Sequence, residues 1–179
     1  ILGVHREAWV PDFSEKPFRS LAGTAMRKAG KESLPVRNGQ RTPGKVAIFS
    51  TCYINYNEPG IGLDLIKILE HNRIPWVIAE KEACCGMPKL ELGDLEGVAA
   101  LKAANMPTLA RLAQEGYAIL APIPSCALMF KQELPLLFPA CEETRRVQAA
   151  VFDPFEYFVD RHKDGLLDTG FSRQLGHVS

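Results

Sequence analysis

After Lys45 the sequence alternates short apolar runs with amphipathic stretches, and this alternation constrains the fold more than any other feature. Four apolar runs are predicted to be buried strands, at residues 46–50, 75–78, 118–121 and 149–152. Amphipathic stretches with helical periodicity separate them. Strands that alternate with helices predict a parallel sheet covered on both faces, so we expect a three-layer, Rossmann-like α/β domain. A fifth strand is predicted at residues 175–178, which gives a sheet of four to five strands.

The predicted helices carry three local signals. One helix should place four apolar side chains on a single face: Ile61, Leu65, Ile68 and Leu69. A long helix is predicted from about Asp94, and Pro107 should kink or split it because proline removes a backbone donor. Asp153-Pro-Phe-Glu156 matches an N-cap, a proline at the first helical position and a glutamate that reaches back to the cap.

The first 44 residues differ in character from the rest. Prolines interrupt this segment at four positions, and only residues 18–29 show weak helical periodicity. We therefore expect an irregular N-terminal arm and linker at residues 1–44, followed by one domain at residues 45–179. The sequence begins at Ile1 rather than at a methionine, and we expect it to be a fragment of a longer protein.

The composition disfavours several classes of protein. Lys and Arg total 21 and Asp and Glu also total 21, so there is no net positive charge of the kind that favours nucleic acid. No apolar run approaches the roughly 18 residues of a membrane-spanning helix, and no signal peptide is recognisable. Five cysteines, two of them adjacent, do not fit a secreted disulfide framework. We therefore expect a cytoplasmic location.

Four of the five cysteines follow the first three predicted strands. Cys52 follows the first strand, Cys84 and Cys85 follow the second, and Cys126 follows the third. Sites in parallel sheets collect beyond the carboxyl ends of the strands, so these thiols are expected to meet at one edge. Because consecutive side chains diverge, the adjacent pair suits a cluster of several metal ions better than one tetrahedral zinc ion. The pattern therefore favours an iron-sulfur cluster with these four cysteines as ligands.

The segments around these cysteines form specific motifs: Cys52-Tyr-Ile-Asn-Tyr-Asn, Cys84-Cys85-Gly86-Met-Pro, Gly93-Asp94 and Pro124-Ser-Cys126-Ala-Leu-Met. Together they resemble the cysteine-rich CCG domain of the heterodisulfide reductase family. Within it, they resemble the branch that contains the C subunit of anaerobic glycerol-3-phosphate dehydrogenase and the iron-sulfur subunits of glycolate oxidases. The resemblance covers about residues 45–179. It implies a 4Fe-4S or non-cubane cluster, and electron transfer between a flavin dehydrogenase and a quinone or disulfide acceptor.

The sequence departs from the full family pattern at two points. The pattern ends in Cys-x-x-Cys, and here the last position is Met129. Cys141 is a candidate for the missing fifth thiolate, but it is as easily an ordinary thiol. Family members also usually carry two CCG repeats and a ferredoxin-like domain, whereas this sequence contains one repeat. The resemblance thus implies the first repeat of a longer protein.

The leading hypothesis is an iron-sulfur electron-transfer module of an oxidoreductase complex. The resemblance implies two kinds of partner, a flavoprotein dehydrogenase subunit and a second CCG repeat or ferredoxin-like domain, and through them peripheral association with the inner face of a membrane. The alternative is a structural zinc domain, or a domain without a cluster, that docks a redox partner. Four cysteines also suit tetrahedral zinc, and the isolated fragment could hold no metal. The sequence leaves open whether the chain is an enzyme.

Overall fold

The computed structural model describes Glu7, residues 12–29 and residues 34–170 of the chain. The strands are β1 (Val46–Ile48), β2 (Trp76–Ile78), β3 (Ala118–Leu120) and β4 (Val151–Phe152). The helices are α1 (Phe18–Ala29), α2 (Cys52–Tyr56), α3 (Pro59–His71), α4 (Met87–Glu91), α5 (Leu95–Gln114), α6 (Pro124–Leu128), α7 (Leu134–Leu137), α8 (Glu142–Ala150) and α9 (Pro154–Lys163). One π-helical turn, Met129–Glu133, joins α6 to α7.

The four strands form one parallel sheet in the order β2-β1-β3-β4. β1 lies at its centre, where Ala47 pairs with Val77 on one side and with Ile119 on the other. The predicted α/β fold with a parallel sheet is therefore confirmed. β4 begins later than predicted, because α8 continues through Ala150. The predicted strand at residues 175–178 lies outside the described residues.

The sheet separates two hydrophobic clusters, which accounts for the three layers. Alternate side chains of a strand point to opposite faces, so Ala47 and Phe49 join one cluster while Val46 and Ile48 join the other. The first cluster includes buried side chains of α5, α6 and α8, and the second includes side chains of α1, α3 and α9. Both faces of the sheet are thus covered by helices, as parallel sheets require.

α3 buries a face that differs in part from the predicted one. Its buried residues are Pro59, Gly62, Leu65, Ile66 and Leu69. Ile61 and Ile68, which the periodicity placed on the apolar face, are 42% and 40% exposed. Gly62 explains the difference: it lets the ring of Phe18 from α1 lie close to the helix backbone, so the buried face is turned towards α1.

Pro107 does not divide the long helix. α5 runs without interruption from Leu95 to Gln114, with Pro107 inside it. A proline ring deprives the carbonyl four residues earlier of its helical partner. That residue, Ala103, is exposed, as is Pro107 itself, so solvent can hydrogen-bond the carbonyl. The predicted split was therefore wrong, because the proline lies on the solvent side of the helix, whereas the predicted kink stays a prediction.

The predicted helix start at Asp153 is confirmed. Asp153 accepts a hydrogen bond from the N–H of Phe155 at 2.8 Å, and Glu156 accepts one from the N–H of Asp153. Together with Pro154 at the first helical position they form the expected capping box of α9. The cap fixes the direction in which α9 leaves the sheet.

The segment before β1 packs closely against the helices. Phe18 and Ala22 of α1 are fully buried in the second cluster. Further along, the hydroxyl of Tyr157 donates to the carbonyl of Pro43 at 2.7 Å, and Arg161 donates to the carbonyl of Arg37 at 3.2 Å. α1 and the linker are therefore fixed to the same helical layer. None of the described helices is long and apolar enough to cross a membrane.

We predict that Gly62→Ala destabilises the domain by about 1–3 kcal/mol, the usual cost of overpacking a core. A Cβ at Gly62 would lie 2.5 Å from Cε2 of Phe18 and 2.9 Å from Cγ2 of Ile54, both of which are fully buried. Gly60→Ala is the matched control in the same helix, because nothing lies within 4 Å of the added methyl group. Urea unfolding of both variants measures the difference. Equal stability of the two variants would contradict the packing of α1 on α3.

Candidate metal centre

The exits of three adjacent strands place four cysteines at one edge of the sheet. β1 is hydrogen-bonded to both β2 and β3, so the loops that follow these three strands lie side by side. Cys52, Cys84, Cys85 and Cys126 all lie in these loops or at the helix starts just beyond them. The chain leaves β1 for β2 on one side and later returns to β3 on the other. Such a reversal point is where ligands bind in open α/β sheets.

Cys52 is the first residue of α2 and the most exposed of the four thiols. Thr51 before it has a φ of 59°, a left-handed conformation that is costly for a β-branched side chain. The Thr51 hydroxyl accepts a hydrogen bond from the N–H of Ile54 at 3.2 Å, which caps the helix and offsets part of that cost. The strained turn directs the chain from β1 into α2 and so places Cys52 at the rim.

Cys84 and Cys85 lie in the loop between β2 and α4, and Gly86 ends that loop. Gly86 has a φ of 104°, which residues with a side chain rarely adopt. A Cβ at this position would lie 3.3 Å from the Cε atom of Met129. The backbone turn therefore favours glycine here, and an added Cβ would also force the buried Met129 to shift by a few tenths of an ångström.

Asn105 of α5 holds the cysteine loop from the side. This asparagine is buried among apolar residues, where its amide needs partners. Its Oδ1 accepts a hydrogen bond from the N–H of Ala83 at 2.8 Å, and its Nδ2 donates to the carbonyl of Cys84 at 3.0 Å. One side chain thus fixes the backbone on both sides of the Ala83-Cys84 peptide.

Cys126 is contributed by the short helix α6 after β3. Its N–H donates to the carbonyl of Ile123 at 2.9 Å, and its side chain is 4% exposed, the same fraction as for Cys85. Cys126 and Cys85 therefore form the inner part of the site, whereas Cys84 is half-buried and Cys52 is exposed.

The four thiols interact with one another. A hydrogen bond from Cys126 lowers the pKa of Cys85 to about 7, assisted by the N–H of Met87 and opposed by burial. The same hydrogen bond, together with burial, raises the pKa of Cys126. Burial also raises the pKa of Cys84, against a hydrogen bond from the N–H of Gly86, and Cys85 and Cys52 are close enough to raise it further. Negative charge is thus held most easily at Cys85.

These contacts link the four cysteines in a row, from Cys52 through Cys84 and Cys85 to Cys126. Within the part of the chain that the structure describes, no three His, Cys, Asp or Glu side chains stand in an arrangement ready to hold a metal ion. The chemistry of the side chains nevertheless fits an iron-sulfur group. All four candidate ligands are thiols, the pKa of one of them is lowered, and backbone N–H groups donate hydrogen bonds to two of the sulfur atoms.

An ion pair between a buried carboxylate and a half-exposed arginine lies beside the outer thiols. Glu82, two residues before Cys84, has a side chain that is 8% exposed and pairs with Arg19 of α1 at 3.0 Å. Its carboxylate also accepts hydrogen bonds from the N–H of Ser50, at 2.8 Å, and from the Ser50 hydroxyl. Burial raises the pKa of Glu82, while Ser50 and Arg19 act in the opposite direction.

These residues and the outer thiols line one open cleft of about 430 Å³. Its walls include Arg19, Ser50, Cys52, Glu82 and Cys84. The cleft leads from solvent to the exposed side of the cysteine site. The inner thiols, Cys85 and Cys126, are not among its lining residues.

Comparison with known proteins identifies the domain that holds this site. Residues 46–131 match the family model of the cysteine-rich domain named CCG. This part of the chain is a CCG domain. The match includes all four cysteines at the sheet edge, whereas α1 and the linker before β1 lie outside it.

The relatives of this CCG domain are much longer chains. The C subunit of anaerobic glycerol-3-phosphate dehydrogenase from Escherichia coli K12 is 27% identical over 68% of this chain and 35% of its own length. The B subunit of fumarate reductase (CoM/CoB) from Methanothermobacter marburgensis is 27% identical over 70% of this chain and 23% of its own length. Lactate utilization protein A of Shouchella clausii is 29% identical over 62% of this chain and 45% of its own length. The chain thus spans less than half of each relative. No solved structure gives a significant match.

Met129, at the position of the missing fifth cysteine, and Cys141, the candidate substitute, occupy different surroundings. Met129 is fully buried in the first hydrophobic cluster and packs against Gly86. Cys141 is half-buried at the start of α8, where Thr144 and Lys102 lower the pKa of its thiol. The ligand set of Cys52, Cys84, Cys85 and Cys126 stays a prediction, and Cys141 stays only a candidate outside that set.

Sequence reasoning missed three residues that shape the CCG site: Arg19, Glu82 and Asn105. Asn105 left a detectable signal, since an asparagine on the apolar face of a helix needs buried partners. Arg19 and Glu82 left none, because charged residues in a weakly periodic helix and in a loop are usually solvated. Only the folded chain brings them together.

We predict that Asn105→Ala destabilises the domain by about 1–3 kcal/mol, because it leaves the Ala83 N–H and the Cys84 carbonyl unpaired. It should also speed alkylation of Cys84, since the loop loses its tether. The matched control is Asn72→Ala. Asn72 also makes two hydrogen bonds to backbone, to Ile68 and Asp168, but its side chain is only half-buried.

Urea unfolding and mass-spectrometric alkylation rates test this pair of variants. Asn72→Ala should destabilise the domain less than Asn105→Ala, because water can replace the hydrogen bonds of Asn72. It should leave the alkylation rate of Cys84 unchanged. A larger effect on Cys84 from Asn72→Ala than from Asn105→Ala would overturn the assignment.

Proposed function

We propose that this chain is an iron-sulfur electron-transfer module of an oxidoreductase complex, with Cys52, Cys84, Cys85 and Cys126 as the thiolate ligands. The observation that carries the proposal is that three neighbouring strand exits bring four thiols into contact at the reversal point of the sheet. Structural packing alone does not require four cysteines at one edge.

The surroundings of the thiols support an iron-sulfur group. Thiolates are the usual ligands of such clusters, and hydrogen bonds to sulfur tune their reduction potentials. The N–H groups of Gly86 and Met87 donate to Cys84 and Cys85. Burial of Cys85 and Cys126 excludes water from the inner side, while the exposed Cys52 leaves a short path to a partner. The cluster would supply the redox chemistry, and the chain would supply ligands, charge and exclusion of solvent.

The names of the relatives support the same class of function. Two are subunits of a dehydrogenase and a reductase, and an iron-sulfur protein of Methanocaldococcus jannaschii is 29% identical over 38% of this chain. We propose further, as the resemblance to the heterodisulfide reductase family implies, that the donor is a flavoprotein dehydrogenase subunit and the acceptor a quinone or a disulfide. The cluster is of the 4Fe-4S or non-cubane type, and a second CCG repeat or a ferredoxin-like domain completes the relay. The location is cytoplasmic, at the inner face of the membrane through these partners.

A structural zinc site is the second candidate. Met129 stands where the full family pattern has a fifth cysteine, and the remaining four thiols match the ligand number of structural zinc. In that case the CCG domain would dock a redox partner without carrying electrons. Metal analysis distinguishes the two candidates.

We predict that the complete protein, purified anaerobically from iron-replete cells, contains iron and sulfide and gives an iron-sulfur EPR signal after reduction or oxidation. Cys85→Ser should abolish most of the iron content, because Cys85 is buried at the centre of the site and interacts with both Cys84 and Cys126. Cys141→Ser is the matched control and should retain the iron, since Cys141 lies with Lys102 and Thr144.

Stoichiometric zinc in place of iron would favour the structural candidate. Unchanged iron content in Cys85→Ser, combined with its loss in Cys141→Ser, would refute the assigned ligand set.

A further inference from the structure

The parallel pairing of β1 and β2 stops at an ion pair. The N–H of Ala79 donates to the carbonyl of Ile48 at 2.9 Å, as a regular ladder requires. The next rung of that ladder would join the N–H of Ser50 to the carbonyl of Ala79. Instead, the Ser50 N–H donates to Glu82, and the Ala79 carbonyl accepts a hydrogen bond from Arg19. The Arg19–Glu82 pair therefore occupies the position of a backbone hydrogen bond.

This substitution keeps the two strands apart where their cysteine loops begin. Ser50 lies two residues before Cys52, and Glu82 lies two residues before Cys84. A direct rung would draw the ends of β1 and β2 together. Instead the side chains of Arg19 and Glu82 stand between them, and both line the cleft that Cys52 and Cys84 also line.

Arg19 contacts the surroundings of both loops. Its Nε donates to the Ser50 hydroxyl at 3.2 Å, and its backbone N–H donates to Oδ1 of Asn55 in α2 at 3.1 Å. The neighbouring residue Phe18 is fully buried and anchors α1. Arg19 lies outside the matched residues 46–131, so a segment beyond the CCG domain completes its cysteine site.

We propose that Arg19 is a positioning residue: through its ion pair with Glu82 it sets the separation of the loops that carry Cys52 and Cys84. The pair also places one positive and one negative charge beside those thiols. The electrostatic part of the proposal rests on the proposed iron-sulfur function, whereas the positioning part does not.

The first measurement needs no cluster. Arg19→Gln leaves Glu82 buried without its counterion, so the carboxylate should turn towards water and release the Ser50 N–H. Hydrogen exchange of the Ser50 amide in the complete chain should then be roughly 5–30-fold faster, the factor that a modest loss of local stability produces. Arg146→Gln is the control: Arg146 is 38% exposed, against 37% for Arg19, and pairs with Glu142 on the surface. It should leave Ser50 unchanged.

The second measurement is the reduction potential of the cluster, followed by EPR in the complete protein. A nearby positive charge favours the added electron, so Arg19→Gln should lower the potential and Glu82→Gln should raise it. The double variant Arg19→Gln/Glu82→Gln should return near the wild-type value, and Arg19→Lys should keep it. If the role of the pair were purely structural, the reduction potentials of the two single variants would shift in the same direction or would not shift.

The two measurements separate the two proposals. If the Ser50 amide exchanges hydrogen at the same rate in Arg19→Gln as in Arg146→Gln, the positioning role is overturned, whatever metal is present. Potential shifts of the same sign in the two single variants would overturn the electrostatic role. The absence of iron from the complete protein would refute the proposed function. The hydrogen-exchange rate of the Ser50 amide would still decide whether Arg19 positions the loops.

Discussion

The central position of β1 is the constraint on which the rest of the molecule depends. Its backbone hydrogen bonds to β2 and β3 place three successive loops beside one another, although their cysteines are more than 70 residues apart at the extremes. The described cysteines are free thiols, so no disulfide holds these loops together. The apolar side chains of β1, which alternate between two clusters, drive the sheet to form. The thiols meet because the core folds in this order, and they need no mutual attraction to do so.

The fold class and the cysteine edge could be predicted from sequence because both follow from short-range patterns. Apolar runs at 46–50 and 118–121 identify strands, and cysteines directly after them share an edge in any parallel sheet. The capping box at Asp153 is equally local, with all its partners within four residues. Such features depend on chain direction and periodicity, which the sequence contains.

Other features escaped prediction because they depend on long-range packing. Ile61 and Ile68 have the right spacing for a buried face, but the approach of Phe18 to Gly62 selects a different one. Pro107 has the chemistry of a helix breaker, and only its exposed position spares α5. Arg19 and Glu82 are separated by more than 60 residues, so no sequence pattern links them. Tertiary context decided each of these cases.

The site combines a rigid inner half with an accessible outer half. Cys85 and Cys126 are enclosed by the first hydrophobic cluster, in which Met129 is also fully buried. Cys52 and Cys84 face a cleft whose charged residues can respond to a bound partner. In the proposed function, electrons would enter and leave through this outer half, where the loops are held by side chains instead of by the backbone ladder.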